Sequence, residues 1–321
     1  MLPRDPSLPI ADRVAGGLVG LLVGDALGVP FEFRAPERIP PLAAIEFAPP
    51  LGYDRAHIGI APGTWSDDGA HALALADSLL TRGTLDLADL GARLLAWYDG
   101  GAYAVDGRVF DVGIQTSRAL SSLAAGRPAR ECGPADVFDN GNGALMRVLP
   151  LALWHDGPDA ELVHLAHEQG LPTHGHVRSQ VSCAAYCLWA RAELRGDRSG
   201  LAGATRRLAE LYAADTALAT HLHELHTHVA PGDRAAAPRG TGYVVDCLRS
   251  ASWAVEGADG YELAVRRAIS LGNDTDTTAC VAGGIAGVRW GRGGIPARWR
   301  DTLRGAEILA PVLAGLVGRG G

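Results

Sequence analysis

The sequence predicts a mainly α-helical protein, and three observations carry that expectation. Apolar residues recur at three- and four-residue steps along most of the chain, convincing alternation of the kind a half-buried strand needs is missing, and Gly, Pro, Ser and Asp fall where helices would start or stop. In chain order the predicted helices run over Ile10 to Leu27, Asp67 to Leu80, Leu87 to Tyr98, Val112 to Ala124, Gly143 to Trp154, Arg178 to Leu194, Leu201 to Ala213, Gly242 to Ala254, Tyr261 to Ser270 and Thr277 to Trp290.

The first of these is an apolar run that ends in Gly24-Asp25-Ala26-Leu27-Gly28-Val29-Pro30-Phe31-Glu32, where glycine and proline favour a break. The second opens on Ser66-Asp67-Asp68 and gathers Ala72, Leu73, Ala76, Leu79 and Leu80 on one apolar face. The fourth and fifth follow Asp111-Val112-Gly113 and Asn140-Gly141-Asn142-Gly143, turns whose glycines expose backbone N–H groups. In the sixth, Val181, Ala184, Ala185, Leu188 and Trp189 repeat as a buried stripe would. The last opens on Asp274-Thr275-Asp276-Thr277-Thr278 and continues through the small residues of Ala279 to Gly287, which let helix backbones approach closely at the cost of poor helix propensity. Pro- and Gly-rich stretches at Pro40 to Gly63, Ala230 to Gly240 and, more weakly, Gly126 to Asn142 read as rims or lids rather than domain borders. The 321 residues are therefore expected to form one domain.

Apolar residues make up 47% of the chain and charged ones 20%, a balance that supports a large buried core and argues against disorder. A formal charge of −7 disfavours a general phosphate-backbone binder, so bulk nucleic acid is not expected as a partner. The five cysteines, Cys132, Cys183, Cys187, Cys247 and Cys280, lack CxxC spacing and are odd in number, which disfavours a disulfide framework or a thiolate zinc site and fits a reducing cytoplasm. Val14 to Gly24 imitates a signal core. Asp5 and Asp12 accompany Arg4 and Arg13, however, and Asp25 ends the run short of a membrane span, so neither secretion nor a membrane partner is expected.

Chemistry gathers in two oxygen-rich clusters at opposite ends of the chain, Ser66-Asp67-Asp68 and Asp274 to Thr278. Each alone is explained by helix capping, since Ser, Thr and Asp suit the first turn and its dipole. Together they offer carboxylates and hydroxyls without an intervening Cys or His, the donor set that magnesium or manganese takes in preference to zinc or copper. Adjacent Asp67 and Asp68 would point about 100° apart on a helix, which suits two neighbouring ions better than one. Glu32 reads either as an acid projecting into a pocket or as a solvated loop acid, and Asp25 either as catalytic or as the cap of a neighbouring helix. Asn140 to Arg147 reads as an anion cradle able to hold a diphosphate or as a simple helix cap, Thr173-His174-Gly175-His176 as neutral groups for ribose hydroxyls or as a cap with exposed imidazole, and Trp97, Tyr98 and Tyr243 as base-stacking or core aromatics. A rival zinc site is drawn by His221, Glu224 and His228, which share a helical face without HExxH spacing.

Taken in order, Gly24-Asp25-x-x-Gly28-x-x-x-Glu32, Trp65-Ser66-Asp67-Asp68, Asp111-Val112-Gly113, Gly141-Asn142-Gly143-Ala144-Leu145-Met146-Arg147, Thr173-His174, Gly242-Tyr243-Val244-Val245-Asp246 and Gly272-Asn273-Asp274-Thr275-Asp276-Thr277 resemble the ADP-ribosylglycohydrolase family, most closely its bacterial dinitrogenase-reductase-activating branch. The resemblance spans most of the chain. It implies a compact all-α fold with a binuclear Mg2+ or Mn2+ centre in a cleft and hydrolysis of the bond joining ADP-ribose to an acceptor, arginine above serine or O-acetyl. It further implies Ser66, Asp67, Asp68, Asp274, Asp276 and Thr277 as metal ligands, Glu32 and Asp67 as catalytic candidates, and Asn142, Gly143, Ala144, His174 and Tyr243 at the substrate. The expected partner is an ADP-ribosylated protein or small conjugate, and the expected state a monomer or weak oligomer. Three positions depart from the family pattern: Ser66 replaces Thr, Gly69 replaces the Thr that follows the paired aspartates, and Val177 replaces a proline. Gly69 is expected to loosen one ion position, and a noncatalytic ADP-ribose binder is the competing function.

Overall fold

A glycine at every fourth position, Gly16, Gly20, Gly24 and Gly28, organises the centre of the molecule. These four lie along one side of α1 (Ile10–Gly28) and meet Gly287, Gly283, Ala279 and Asp276 of α12 (Thr275–Trp290), so the two helices run antiparallel with their backbones touching. A Cβ added at Gly16, Gly20 or Gly24 would fall 2.2, 2.5 or 2.1 Å from a carbonyl oxygen of α12. Only glycine permits that spacing, which is why a residue that weakens an isolated helix is repeated here. The computed structural model describes residues 8–230 and 237–319, so part of the Ala230 to Gly240 loop, along with Arg4 and Asp5, lies outside the described residues.

Around this pair the remaining helices form layers. α2 (Asp67–Arg82) buries the apolar face anticipated for it, with Leu80 only partly covered, and packs on α3 (Leu87–Gly100), α5 (Leu149–Trp154) and α14 (Ala306–Gly318). α7 (Val177–Leu194) carries the expected stripe, every member of it buried, and lies between α6 (Asp159–Glu168) and α8 (Gly200–Ala213) while reaching α12. α10 (Val244–Glu256) and α11 (Tyr261–Ser270) cover α12 from outside, and α4 (Ile114–Ala124) packs on α3. Among the described residues there is no β-strand, only an isolated antiparallel bridge between Gly141 and Tyr243. The fold is all-α.

Helix starts near the turns differ from expectation. The segment read as helix from Gly143 becomes helical only at Leu149, because Arg147 turns inward and ties residues 143–147 into a compact turn. Four helices had no sequence signal strong enough to be drawn: α6, α9 (Ala219–Glu224), α13 (Ala297–Thr302) and α14. They are short, or in α14 interrupted by Pro311, so periodicity has few turns in which to show itself. α1 is long and apolar enough to cross a bilayer by length and composition, yet its apolar window is wholly buried within the molecule. All five cysteines are free and buried.

Candidate active site

The α1/α12 seam brings the C-terminal end of one helix to the N-terminal end of the other. A Cβ on Gly28 would lie 2.3 Å from Asp276 Cα, and Thr275 Oγ1 donates to Gly28 O at 2.8 Å. Beyond the helix end, Phe33 N donates to Asn273 O and Asn273 N to Arg34 O, both at 2.7 Å, which aligns Glu32 beside Asp274 to Thr277. One turn back, the buried Asp25 carboxylate accepts the N–H groups of Ser66 at 2.9 Å and Gly69 at 2.8 Å. Asp25 is thus the cap of α2, and it fixes the second acid cluster against the first. The place where a side chain on Gly69 would project is filled by Leu22 and Trp65, with a Cβ 2.7 and 2.8 Å from their atoms. The departure at Gly69 therefore answers a packing demand.

The two clusters named from opposite ends of the chain meet directly. Thr277 Oγ1 donates to Asp68 Oδ1 at 3.2 Å, and Asn142 Nδ2 donates to Asp274 Oδ2 at 2.9 Å. Ser66 caps α2 as well, its Oγ accepting Asp68 N at 3.4 Å. Asp68 Oδ2, Asp274 Oδ1 and Asp276 Oδ2 are buried without any hydrogen-bond partner. Buried oxygens without donors are costly and rare, and several facing one another are the donor set of a hard cation. One ligand atom from each of Asp25, Asp68 and Asp276 lies within 4.8 Å of the others, and a second set, Glu32, His57, Asp111 and Asp276, meets the same distance. Asp276 belongs to both.

Burial and mutual repulsion push these carboxyls upward when no cation balances them. Glu32 is raised to about 11, first by burial and then by the charges of Asp111, Asp274 and Asp68. Burial is likewise the main cause for Asp25, raised to about 7, and Asp111, raised to about 6. Asp67, Asp68 and Asp276 move in the same direction for the same first reason. So much ionisable oxygen in a low-dielectric floor is stable as anions only beside cationic charge.

A cavity of about 370 Å³ opens above this floor, lined by Glu32, Asp67, Asp68, Asp274 and Thr277 on one side and by the Gly141–Gly143 turn and His174 on the other. The turn is held from behind. Arg147 donates to Gly143 O at 3.3 Å and to Thr173 Oγ1 at 2.7 Å, and Thr173 Oγ1 bonds His174 Nδ1 at 2.8 Å. Gly143 lies so close to the imidazole that a Cβ would be 2.6 Å from His174 Cε1. Burial and the nearby Arg147 lower His174 to about 3, so its ring is neutral at physiological pH.

Several candidates lie elsewhere than the sequence implied. Ala144 is fully buried, and its carbonyl accepts Gln169 Nε2 at 3.2 Å, so its side chain faces the core and not the cavity. Tyr243 lies outside the cavity lining; its ring is half-exposed and its hydroxyl accepts from Arg178 at 3.3 Å, while its backbone bridges Gly141. Trp97 is core, edge-on to His71 with centroids 4.3 Å apart, and Tyr98 bonds Ser117 away from the cavity. The zinc reading fails: Glu224 pairs with Arg178 at 2.9 Å, His221 turns to Gln180 at 3.2 Å, and this run forms no metal-sized cluster among the described residues. Conversely, Asp111 was read only as part of a glycine turn, and His57 had no signal beyond lying in a predicted rim. Asp111 lines the cavity and His57 bonds the cavity-lining Glu32, both with positive φ, 57° and 47°.

Fold and site together define an all-α protein whose buried carboxylates, fitted to hard cations, form the floor of a cleft with a glycine-rich wall. The ADP-ribosylglycohydrolase family model matches residues 6–320, and the chain belongs to that family and to its class, the ADP-ribosyl-acceptor hydrolases. It is 28% identical to the ADP-ribosylarginine hydrolase Tri1 of Serratia proteamaculans, over 97% of this chain and 79% of that protein. It is 29% identical to the ADP-ribosyl-[dinitrogen reductase] glycohydrolase of Rhodospirillum rubrum, over 92% and 91% of the two. A solved structure titled as an ADP-ribosylglycohydrolase-related protein complex superposes with a TM-score of 0.74 at 32% identity, covering 97% of this chain and 99% of that one.

Proposed function

We propose that this protein hydrolyses the glycosidic bond between ADP-ribose and an arginine acceptor, using two Mg2+ or Mn2+ ions held in the cleft. The single observation that carries the reading is that Asp68 and Asp276, each with a buried carboxylate oxygen lacking any partner, meet with Asp25 within 4.8 Å beside a cavity walled by a glycine turn. Arginine is favoured because similar proteins are named for that linkage. The reducing cytoplasm and an ADP-ribosylated protein or small conjugate as partner complete the proposal.

Ser66, Asp67, Asp68, Asp274, Asp276 and Thr277 would hold the ions. When bound, they supply Lewis acidity toward ribose hydroxyls and a water made easier to deprotonate. The chain's own residues do the rest. Asn142 and the Gly143 backbone would position the diphosphate and ribose, the N–H of Ala144 adding to that wall, and neutral His174 would bond the distal ribose. Tyr243 would act through its backbone, setting the height of Gly141 by the bridge it makes. Glu32, buried beside the carboxylate cluster, would receive a proton from the attacking water, and a proton passed back from Glu32 or Asp67 would go to the arginine nitrogen as its bond to the ring carbon breaks. The ring carbon passes through an oxocarbenium-like state that the surrounding carboxylates stabilise as charge develops.

The test is to incubate the purified protein with arginine-, serine- and O-acetyl-linked ADP-ribose, with Mg2+, with Mn2+ and with chelator. Release of ADP-ribose from the arginine conjugate, lost on chelation, is expected. Tight ADP-ribose binding with release from none of the three identifies a binder and refutes the hydrolase.

A further inference from the structure

His57 is the part of the cleft that the two acid clusters do not account for. It sits on the irregular segment between α1 and α2, its ring flanked by Phe33 and Phe110 at centroid distances of 5.7 and 5.1 Å. Its Nε2 lies 2.5 Å from Glu32 Oε2 and 3.9 Å from Asp111 Oδ1. One ring nitrogen joins Glu32, Asp111 and Asp276 in a set of donors all within 4.8 Å of one another. Asp276 is fully buried, and its Oδ2 has no hydrogen-bond partner.

We propose that His57 is a cation ligand, so that one of the two positions in the cleft is a mixed nitrogen and oxygen site that selects a first-row transition dication over Mg2+. The inference rests on the reading of the cleft as a dication site. The other set offers only oxygen, from Asp68 and Asp276 with the α2-capping Asp25 behind them, and remains a hard-ion position. The His57 set adds an imidazole, which Mg2+ takes poorly in place of oxygen or water and which transition dications accept along the Irving–Williams order. The flanking rings and the bond from Nε2 to Glu32 hold the imidazole in one direction, as a ligand needs. In the competing role, His57 only hydrogen-bonds Glu32 and makes no bond to an ion.

The two roles separate by spectroscopy. The purified full chain is loaded with Mn2+ alone and its electron spin-echo modulation is recorded, together with calorimetric titrations of Mn2+ and Mg2+ into wild type and His57→Gln. Imidazole 14N coupling is expected in wild type and absent in the variant. Mn2+ affinity at one position should fall ~10-fold or more in the variant, while Mg2+ affinity changes less than ~3-fold. Bound Mn2+ without nitrogen coupling in wild type overturns the proposal, a result that does not depend on the variant folding. Coupling that persists unchanged in His57→Gln overturns it too. Failure of wild type to take up either ion refutes the dication reading itself, and this proposal with it, and is recognised by the absence of any calorimetric binding.

Discussion

Gly24→Ala tests the seam on which the site depends, because two effects of opposite sign compete there. By propensity alone, Gly to Ala inside a helix stabilises by about 1 kcal/mol. The structure argues the reverse: the new Cβ would lie 2.1 Å from Ala279 O and 2.7 Å from its carbonyl carbon. Restoring an ordinary contact requires α1 and α12 to part by about 1 Å, and a gap of that size forfeits a quarter to a half of each dispersion well along the interface. Backbone meets backbone, so no rotamer change relieves the clash. Overpacking of this kind costs about 1–3 kcal/mol, and its rigid nature places it near the upper end. The net is a destabilisation of about 2 kcal/mol, or a fall in Tm of about 3–4 °C for a chain of this size. The assay is thermal unfolding by circular dichroism, with Gly100→Ala as control, since a Cβ there has nothing within 4 Å. Parting the helices would also move Asp25 and Glu32 away from Asp276, so Mn2+ affinity should weaken about 10-fold. A Gly24→Ala protein as stable as wild type, or more so, would refute the packing argument outright.

Three further outcomes follow from the same geometry. Asp276→Asn should leave the metal-free Tm unchanged or slightly higher, because the lost carboxylate was buried and raised, while the rise in Tm on adding Mn2+ disappears; a retained rise removes Asp276 from the ion site. The metal-free protein should lose stability as pH rises. Asp25 and Asp111, raised from 3.8 to about 7 and about 6, contribute stability that is complete below the unfolded value and gone above about 7, so Mn2+ should raise Tm more at pH 8 than at pH 5, and an equal rise at both would contradict this. Gly143→Ala should weaken ADP-ribose binding by about 10-fold, or about 1.4 kcal/mol, since its Cβ would come 2.6 Å from His174 Cε1; unchanged affinity by calorimetry would show that the turn does not contact the ligand.

What the sequence made legible was the chemistry that helix starts share with ion sites. Ser66 to Asp68 and Asp274 to Thr277 stand out because first-turn residues are also hard-cation donors, and their separation by more than half the chain asked for a common destination. The four-residue glycine repeat of α1 was equally visible, but its meaning was not. A glycine stripe states that something approaches closely without stating what, and its complement lies at the other end of the chain. His57 and Asp111 escaped for another reason: they sit on irregular backbone, where no period exists to read. The same backbone holds four non-glycine residues at positive φ on the loops beside the cavity mouth, Phe33 and Asp111 lining the cavity, His57 bonded to Glu32 and Asn273 next to Asp274, at 61°, 57°, 47° and 60°. Such conformations cost of order 1 kcal/mol or more each and persist only where surrounding contacts fix them. Their concentration at the mouth, above a floor of helix termini that propensity alone explains, divides the site into two parts. The floor is set by helices and was read from local rules. The mouth is set by loops held against their own preferences, and it is there that the chain's individual ion and acceptor selectivity would be decided.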